Sequence, residues 1–135
     1  VRDIIEVVQV ILFTIGGFIG YGLGGCDGFL YALVAMVVLD YVTGIMLAII
    51  ERKLSSEIGF KGIFKKVFIF FMVAIGHIID SKIIGTGSGI RTAVIFFYAS
   101  NEGISILENA TKLGLPVPEK LKSILEQIGD ESHGS

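Results

Sequence analysis

Arg91, Tyr98, Glu102, Ser105 and Asn109 follow one another at steps of seven, four, three and four residues. On a helix those steps bring all five to one side. A stripe of a cation, a carboxylate, two hydroxyls and an amide can line water or satisfy other polar groups. Asn101 lies beside Glu102. Such a helix is unstable alone in lipid unless its stripe meets water or polar partners. The reading is a helix lining a water-filled lesion in an oligomer; the alternative is a helix lying flat in the membrane interface.

Two further polar pairs interrupt apolar runs. Asp40, with Thr43 three residues on, sits near the middle of the stretch Phe29–Ile50. A charged Asp at the centre of a membrane helix costs roughly 2.5–3.5 kcal/mol. Asp40 therefore faces other helices or water, and a structural hydrogen-bond pair, a water-lined pathway and an oligomer contact all stay open. His77 and Asp80 are spaced i, i+3, which could hold a metal or relay a proton, but no third ligand lies nearby. They read as a local polar pair at the membrane boundary. There is no phosphate-binding glycine loop, no Gly-x-Ser-x-Gly elbow, no His-Glu-x-x-His and no paired cysteine motif. Cys26 is the lone cysteine, which excludes an intrachain disulfide framework. Neither an enzyme nor a cofactor or metal is expected.

The elements that carry these residues follow from the apolar pattern. The chain has 135 residues, 53% hydrophobic and 18% charged, with 18 glycines and a mean hydropathy of +0.79. That is too apolar for an ordinary soluble domain, which is about 25% charged. A net charge of −2 argues against a nucleic-acid partner. Val7–Cys26 holds no charged residue, enough helix to cross a hydrocarbon core of about 30 Å. The residues before it include Arg2, Asp3 and Glu6, unlike the basic start of a signal peptide. The pattern predicts an all-α integral membrane protein, one domain over 1–128. Four spans are expected at about 7–26, 29–50, 67–84 and 90–107, followed by an amphipathic helix at about 118–128. Residues 129–135 read as a polar tail.

Between the second and third spans, Glu51–Lys66 carries Arg52, Lys53, Lys61, Lys65 and Lys66 against Glu51 and Glu57. The basic excess predicts a cytoplasmic loop, and four spans then put both termini in the cytoplasm. Gly16, Gly20 and Gly24 recur every four residues, and Gly44 and Ala48 repeat the step more weakly. Small residues on one face let helices approach closely in lipid, so these positions are read as helix-packing contacts. In the last helix, Leu121, Ile124, Leu125 and Ile128 share one side, which suits a membrane surface or a partner.

Three stretches carry a family resemblance: Leu39–Gly44 (LDYVTG), Lys53–Lys66 (KLSSEIGFKGIFKK) and Val94–Leu121 (VIFFYASNEGISILENATKLGLPVPEKL). Together the chain resembles the phage-lysis and toxin-secretion holins of Gram-positive bacteria and their phages, including the clostridial toxin-secretion type. Asn101-Glu102-Gly103, then Glu108-Asn109 and the Gly-Leu-Pro-Val-Pro turn, are its most specific part. The glycine-rich first span matches the family only in being hydrophobic. The resemblance implies self-assembly in the bacterial cytoplasmic membrane into large non-selective holes. Endolysin or toxin cargo would pass without specific binding, and no catalytic residue, cofactor or metal is implied. The rival readings are a selective small channel or exporter, an antiholin-like membrane regulator, and, more distantly, a soluble helical bundle.

Overall fold

The computed structural model describes residues 1–133. Among them there is no strand, and the helices are α1 (Arg2–Gly22), α2 (Gly28–Ile50), α3 (Ser56–Ile78), α4 (Gly89–Lys112) and α5 (Glu119–His133). A π-helical turn, Ile79–Ile84, extends α3 without a break. Local chemistry sets the ends. Asp27 accepts from the Leu30 amide at 2.9 Å and caps α2, and Ser55 accepts from Ile58 at 3.2 Å and caps α3. At the end of α1 the Gly25 amide bonds the Gly20 carbonyl and the Gly24 amide bonds Tyr21. Gly24 and Gly25 have φ near +92° and +105°. This paired closure needs a left-handed residue just past the helix, a conformation that glycine reaches without a Cβ penalty.

These ends correct three boundaries. The first helix starts at Arg2 and stops at Gly22, so Gly24 lies in the turn and not on a helix face with Gly16 and Gly20. The third helix starts at Ser56 and not at Val67, because the Ser55 cap opens it eleven residues earlier. Lys61, Lys65 and Lys66 thus ride on α3, and only Arg52 and Lys53 remain in the connecting turn. The last helix runs to His133, so the segment from 129 to 133 is helical and not a tail. Residues 134–135 lie outside the described residues.

Helices α2, α3 and α4 form the bundle. Residue pairs order it: Asp27 meets Arg91, Phe29 meets Phe96, and Thr43 meets Asn109. α2 and α4 therefore run parallel, with α3 antiparallel to both. Leu30, Leu33 and Val37 of α2, Ile69 and Val73 of α3, and Ile95 of α4 make the buried core. The outward faces of α1, α2 and α3 stay apolar and exposed, with Phe13, Phe18, Val38, Ile49, Phe64, Phe68 and Phe71 among them. An apolar surface of that extent is not compatible with water. Three helices, Arg2–Gly22, Gly28–Ile50 and Ser56–Ile84, are long and apolar enough to cross a membrane. Of the four expected spans, 90–107 is the one outside that set; its helix α4 carries the polar stripe.

α1 stands apart from the bundle. Of its residues only Gly20 is buried, and a Cβ there would meet the Cys26 sulfur at 2.6 Å. Gly16 and Gly17 face open space. The small-residue face is therefore split: Gly20 is covered by its own turn, and Gly24 packs under Arg91 and His77.

α5 doubles back along α4. Leu125 is buried on Gly103, and the Ser100 hydroxyl donates to the Leu125 carbonyl. Gly129 also packs on Ser100. A Cβ at Gly103 would lie 2.9 Å from a Leu125 methyl. Gly103→Val should therefore push α5 off α4, and limited proteolysis should cut the 113–118 connection several-fold faster. Gly16→Val, with nothing within 4 Å, should leave that rate unchanged; equal rates for both variants and the parent would contradict the packing.

Candidate functional site

Two polar layers cross the bundle. The first lies near mid-height. Asp40 is 12 residues from the start of α2 and 10 from its end, about 18 Å and 15 Å along the axis. From α3, the Lys66 ammonium donates to Asp40 Oδ2 and to Glu102 Oε2, both at 2.7 Å. Asn109 Nδ2 donates to Thr43 Oγ1 at 2.9 Å and to Asp40 Oδ1 at 3.4 Å. The Thr43 hydroxyl itself donates a hydrogen bond to the Leu39 carbonyl at 2.8 Å. The three charged side chains are only 11–17% exposed. Two carboxylates share one ammonium, so the cluster is held together by a single cation.

The second layer closes the end of the bundle where α1 turns into α2. The Arg91 guanidinium donates to the Leu23 carbonyl, to the Gly25 carbonyl at 2.9 Å and to Asp27 Oδ2 at 2.8 Å. Asp27 lies in the turn, and the hydrogen bond from Arg91, with that from the Leu30 amide, holds its carboxyl below the usual carboxylate range. Buried Asp80 accepts from the backbone amides of Ile90 at 3.1 Å and Arg91 at 2.9 Å. Asp80 thus caps the first turn of α4, where exposed amides favour a negative charge. The fit leaves no room for side chains: a Cβ on Gly24 would meet Arg91 Nε at 2.6 Å and His77 Nδ1 at 2.9 Å. A Cβ on Gly76 would meet the Arg91 Cα at 3.0 Å, where backbone cannot yield.

The stripe of α4 therefore exists but points inward. Arg91, Glu102 and Asn109 are buried, and Tyr98 and Ser105 are half-buried beside them. Within one chain Lys66, Asp40, Thr43 and the α1–α2 turn satisfy it. Asn101 points away and is exposed. His77 and Asp80, expected as a pair, diverge: Asp80 turns to the α4 amides and His77 to Gly24. Gly44 faces Asn109 across the α2–α4 contact, and Ala48 is half-buried on the same helix. Lys61 and Lys65 are exposed on α3, while Lys66 turns into the bundle and is no loop residue. Four contributors escaped the sequence reading: Lys66 as counter-ion, Asp27 as partner of Arg91, and Ser100 and Gly103 as the seat of α5. An uncompensated Asp40 was the signal for a cation, but the third helix had to begin at Ser56 for Lys66 to supply it.

Among the described residues no three His, Cys, Asp or Glu converge on a metal position, and no buried side-chain nitrogen or oxygen lacks a hydrogen-bond partner. The arrangement stores charge inside a membrane bundle. The sequence profile of the bacteriophage holin family matches residues 17–130. The chain belongs to the bacteriophage holin family. That match spans both polar layers and the α4–α5 hairpin. The holin-family chain is 44% identical over 129 residues to an uncharacterized protein of Listeria innocua, covering 93% of this chain and 91% of that one. It is 47% identical over 110 residues to an uncharacterized protein of Listeria monocytogenes, covering 82% and 78%. It is 35% identical over 131 residues to an uncharacterized 14.9 kDa protein of Clostridium perfringens, covering 96% and 98%. No solved structure matches the chain. Holin-family proteins are non-enzymatic membrane proteins, and the apolar outer helices of this one agree with a place in a membrane.

Proposed function

We propose that the chain is a holin that inserts in the bacterial cytoplasmic membrane and self-assembles into a large, non-selective hole. Endolysin or large toxins pass through the hole without being specifically bound. The observation that carries this reading is the family match over residues 17–130 on a chain whose outer helices are apolar. The charged layers support it physically. A protomer that neutralises Asp40, Glu102 and Arg91 internally keeps those three charges off the lipid as it inserts.

α4 is a fourth crossing in this reading. It runs parallel to α2 and shares its core, and its polar residues are satisfied by neighbours, the condition under which lipid tolerates them. Arg52, Lys53, Lys61, Lys65, Lys112, Lys120 and Lys122 gather toward the end where α2 meets α3 and α4 meets α5. The positive-inside tendency makes that end cytoplasmic, so the N-terminus and the α4–α5 connection lie on the cytoplasmic side of the four crossings.

Inducible expression with and without a cytoplasmic endolysin tests the reading. Abrupt lysis is expected only when both are made, with membrane depolarisation when the chain is made alone. Growth without depolarisation, at confirmed membrane abundance, would overturn it. Depolarisation that leaves a large reporter protein inside would point to a selective channel instead.

A further inference from the structure

With the α4 stripe closed inside the bundle, the water-facing surface of a hole has to come from elsewhere, and α5 offers one at the right depth. Leu125 seats on Gly103, next to Glu102, and Glu102 shares Lys66 with Asp40. Leu125 is thus level with the middle of α2. α5 enters from the α4–α5 connection and continues past that level, with Gly129 against Ser100. On a helical wheel Glu126, Asp130, Ser123, Gln127 and Lys120 lie at roughly 100–220° from Leu125, the side away from α4. All five are exposed. If α2 crosses the membrane, Glu126 and Asp130 stand near the middle of the bilayer and point outward. Carboxylates there are strongly disfavoured against lipid and demand water. Toward the end of α4 the groove between α4 and α5 holds a cavity of about 520 Å³ with a mixed wall, Leu107, Leu115 and Val117 beside Glu108, Lys112 and Lys122. The outward faces of α1, α2 and α3 are apolar by contrast.

We propose that the outer face of α5, and not α4, lines the aqueous lumen when copies assemble, with Lys120, Glu126 and Asp130 facing water. The proposal rests on the hole-forming reading. The face mixes signs, which suits a wide water column without ion selection.

The test compares the full-length chain with Glu126→Leu/Asp130→Leu and with Glu126→Gln/Asp130→Asn, following depolarisation at matched membrane abundance. The leucine pair should delay opening at least tenfold or abolish it, and the Gln/Asn pair should open close to normal time. If the parent opens and the leucine pair opens on the same schedule, the lining role fails while the hole-forming reading stands. If the parent never depolarises, both fall. Should the leucine pair fail to accumulate, a single cysteine decides. Glu126→Cys in a Cys26→Ser background is treated with a membrane-impermeant maleimide, in inside-out vesicles made before opening and in cells after it. Labelling at least tenfold faster after opening supports a lumen position. Equally fast labelling before opening would put α5 in the cytoplasm, and protection after opening would put it against protein or lipid; either result overturns the proposal.

Discussion

Lys66→Met is expected to cause the largest loss of stability of any single substitution in the bundle. It leaves Asp40 and Glu102 facing each other without their shared cation, each about 90% covered. Removing one partner of a buried ion pair typically costs about 3–5 kcal/mol, because the charge left behind is uncompensated. Here two adjacent carboxyls are left behind without a cation. The variant should lose helicity at a markedly lower temperature in mild detergent and reach a lower level in membranes. The triple variant Asp40→Asn, Lys66→Met, Glu102→Gln should recover much of the loss, since neutral groups of similar shape often replace a buried ionic cluster at little cost. A Lys66→Met protein that melts with the parent would show that the trio contributes nothing. Failure of the triple variant to improve on Lys66→Met would show that the damage comes from lost packing and not from charge.

Arg91→Met is expected to free α1. The helix has almost no buried side chain of its own, and Arg91 ties its end down through the Leu23 and Gly25 carbonyls and Asp27. A buried carbonyl left without its donor costs about 1–3 kcal/mol, and Asp27 loses the partner that holds its carboxyl low. Spin labels at Phe13→Cys on α1 and Phe68→Cys on α3, in a Cys26→Ser background, read the consequence. A broadened distance distribution is expected for Arg91→Met. Asp27→Asn should give a smaller broadening, because both carbonyls keep their donor. Distributions as narrow as the parent's in both variants would mean that α1 is positioned by something other than this lock.

Both predictions turn on residues whose chemistry was visible in the sequence but whose partners were not. The stripe Arg91, Tyr98, Glu102, Ser105 and Asn109 does share one side of α4. Periodicity fixes which residues lie together and is silent on whether that side meets water, lipid or another helix. Asp40 in an apolar run demanded a partner. The partner was hidden because Lys66 read as part of a basic loop, and the Ser55 cap that makes Lys66 helical is a weak local signal. The glycine series from Gly16 to Gly24 looked continuous, yet the helix closes at Gly22. Glycines support both helix contact and helix termination, and only the backbone shows which has won at Gly24.

Alone, the sequence determined that the protein is helical, that its outer surface is apolar enough for a membrane, and that a few charged residues sit where lipid would not tolerate them. Those are local properties: run length, hydropathy and a period of 3.6 are written into consecutive residues. The tertiary structure decided where those charges go. It placed Lys66 between Asp40 and Glu102, bent Arg91 onto the α1–α2 turn, and laid α5 along α4 so that a different polar face is left outward. Hydrogen-bonded neighbours 25 to 68 residues apart in the chain made each of these choices. Burial of a charge depends on what packs against it, and a residue's own sequence surroundings do not contain that.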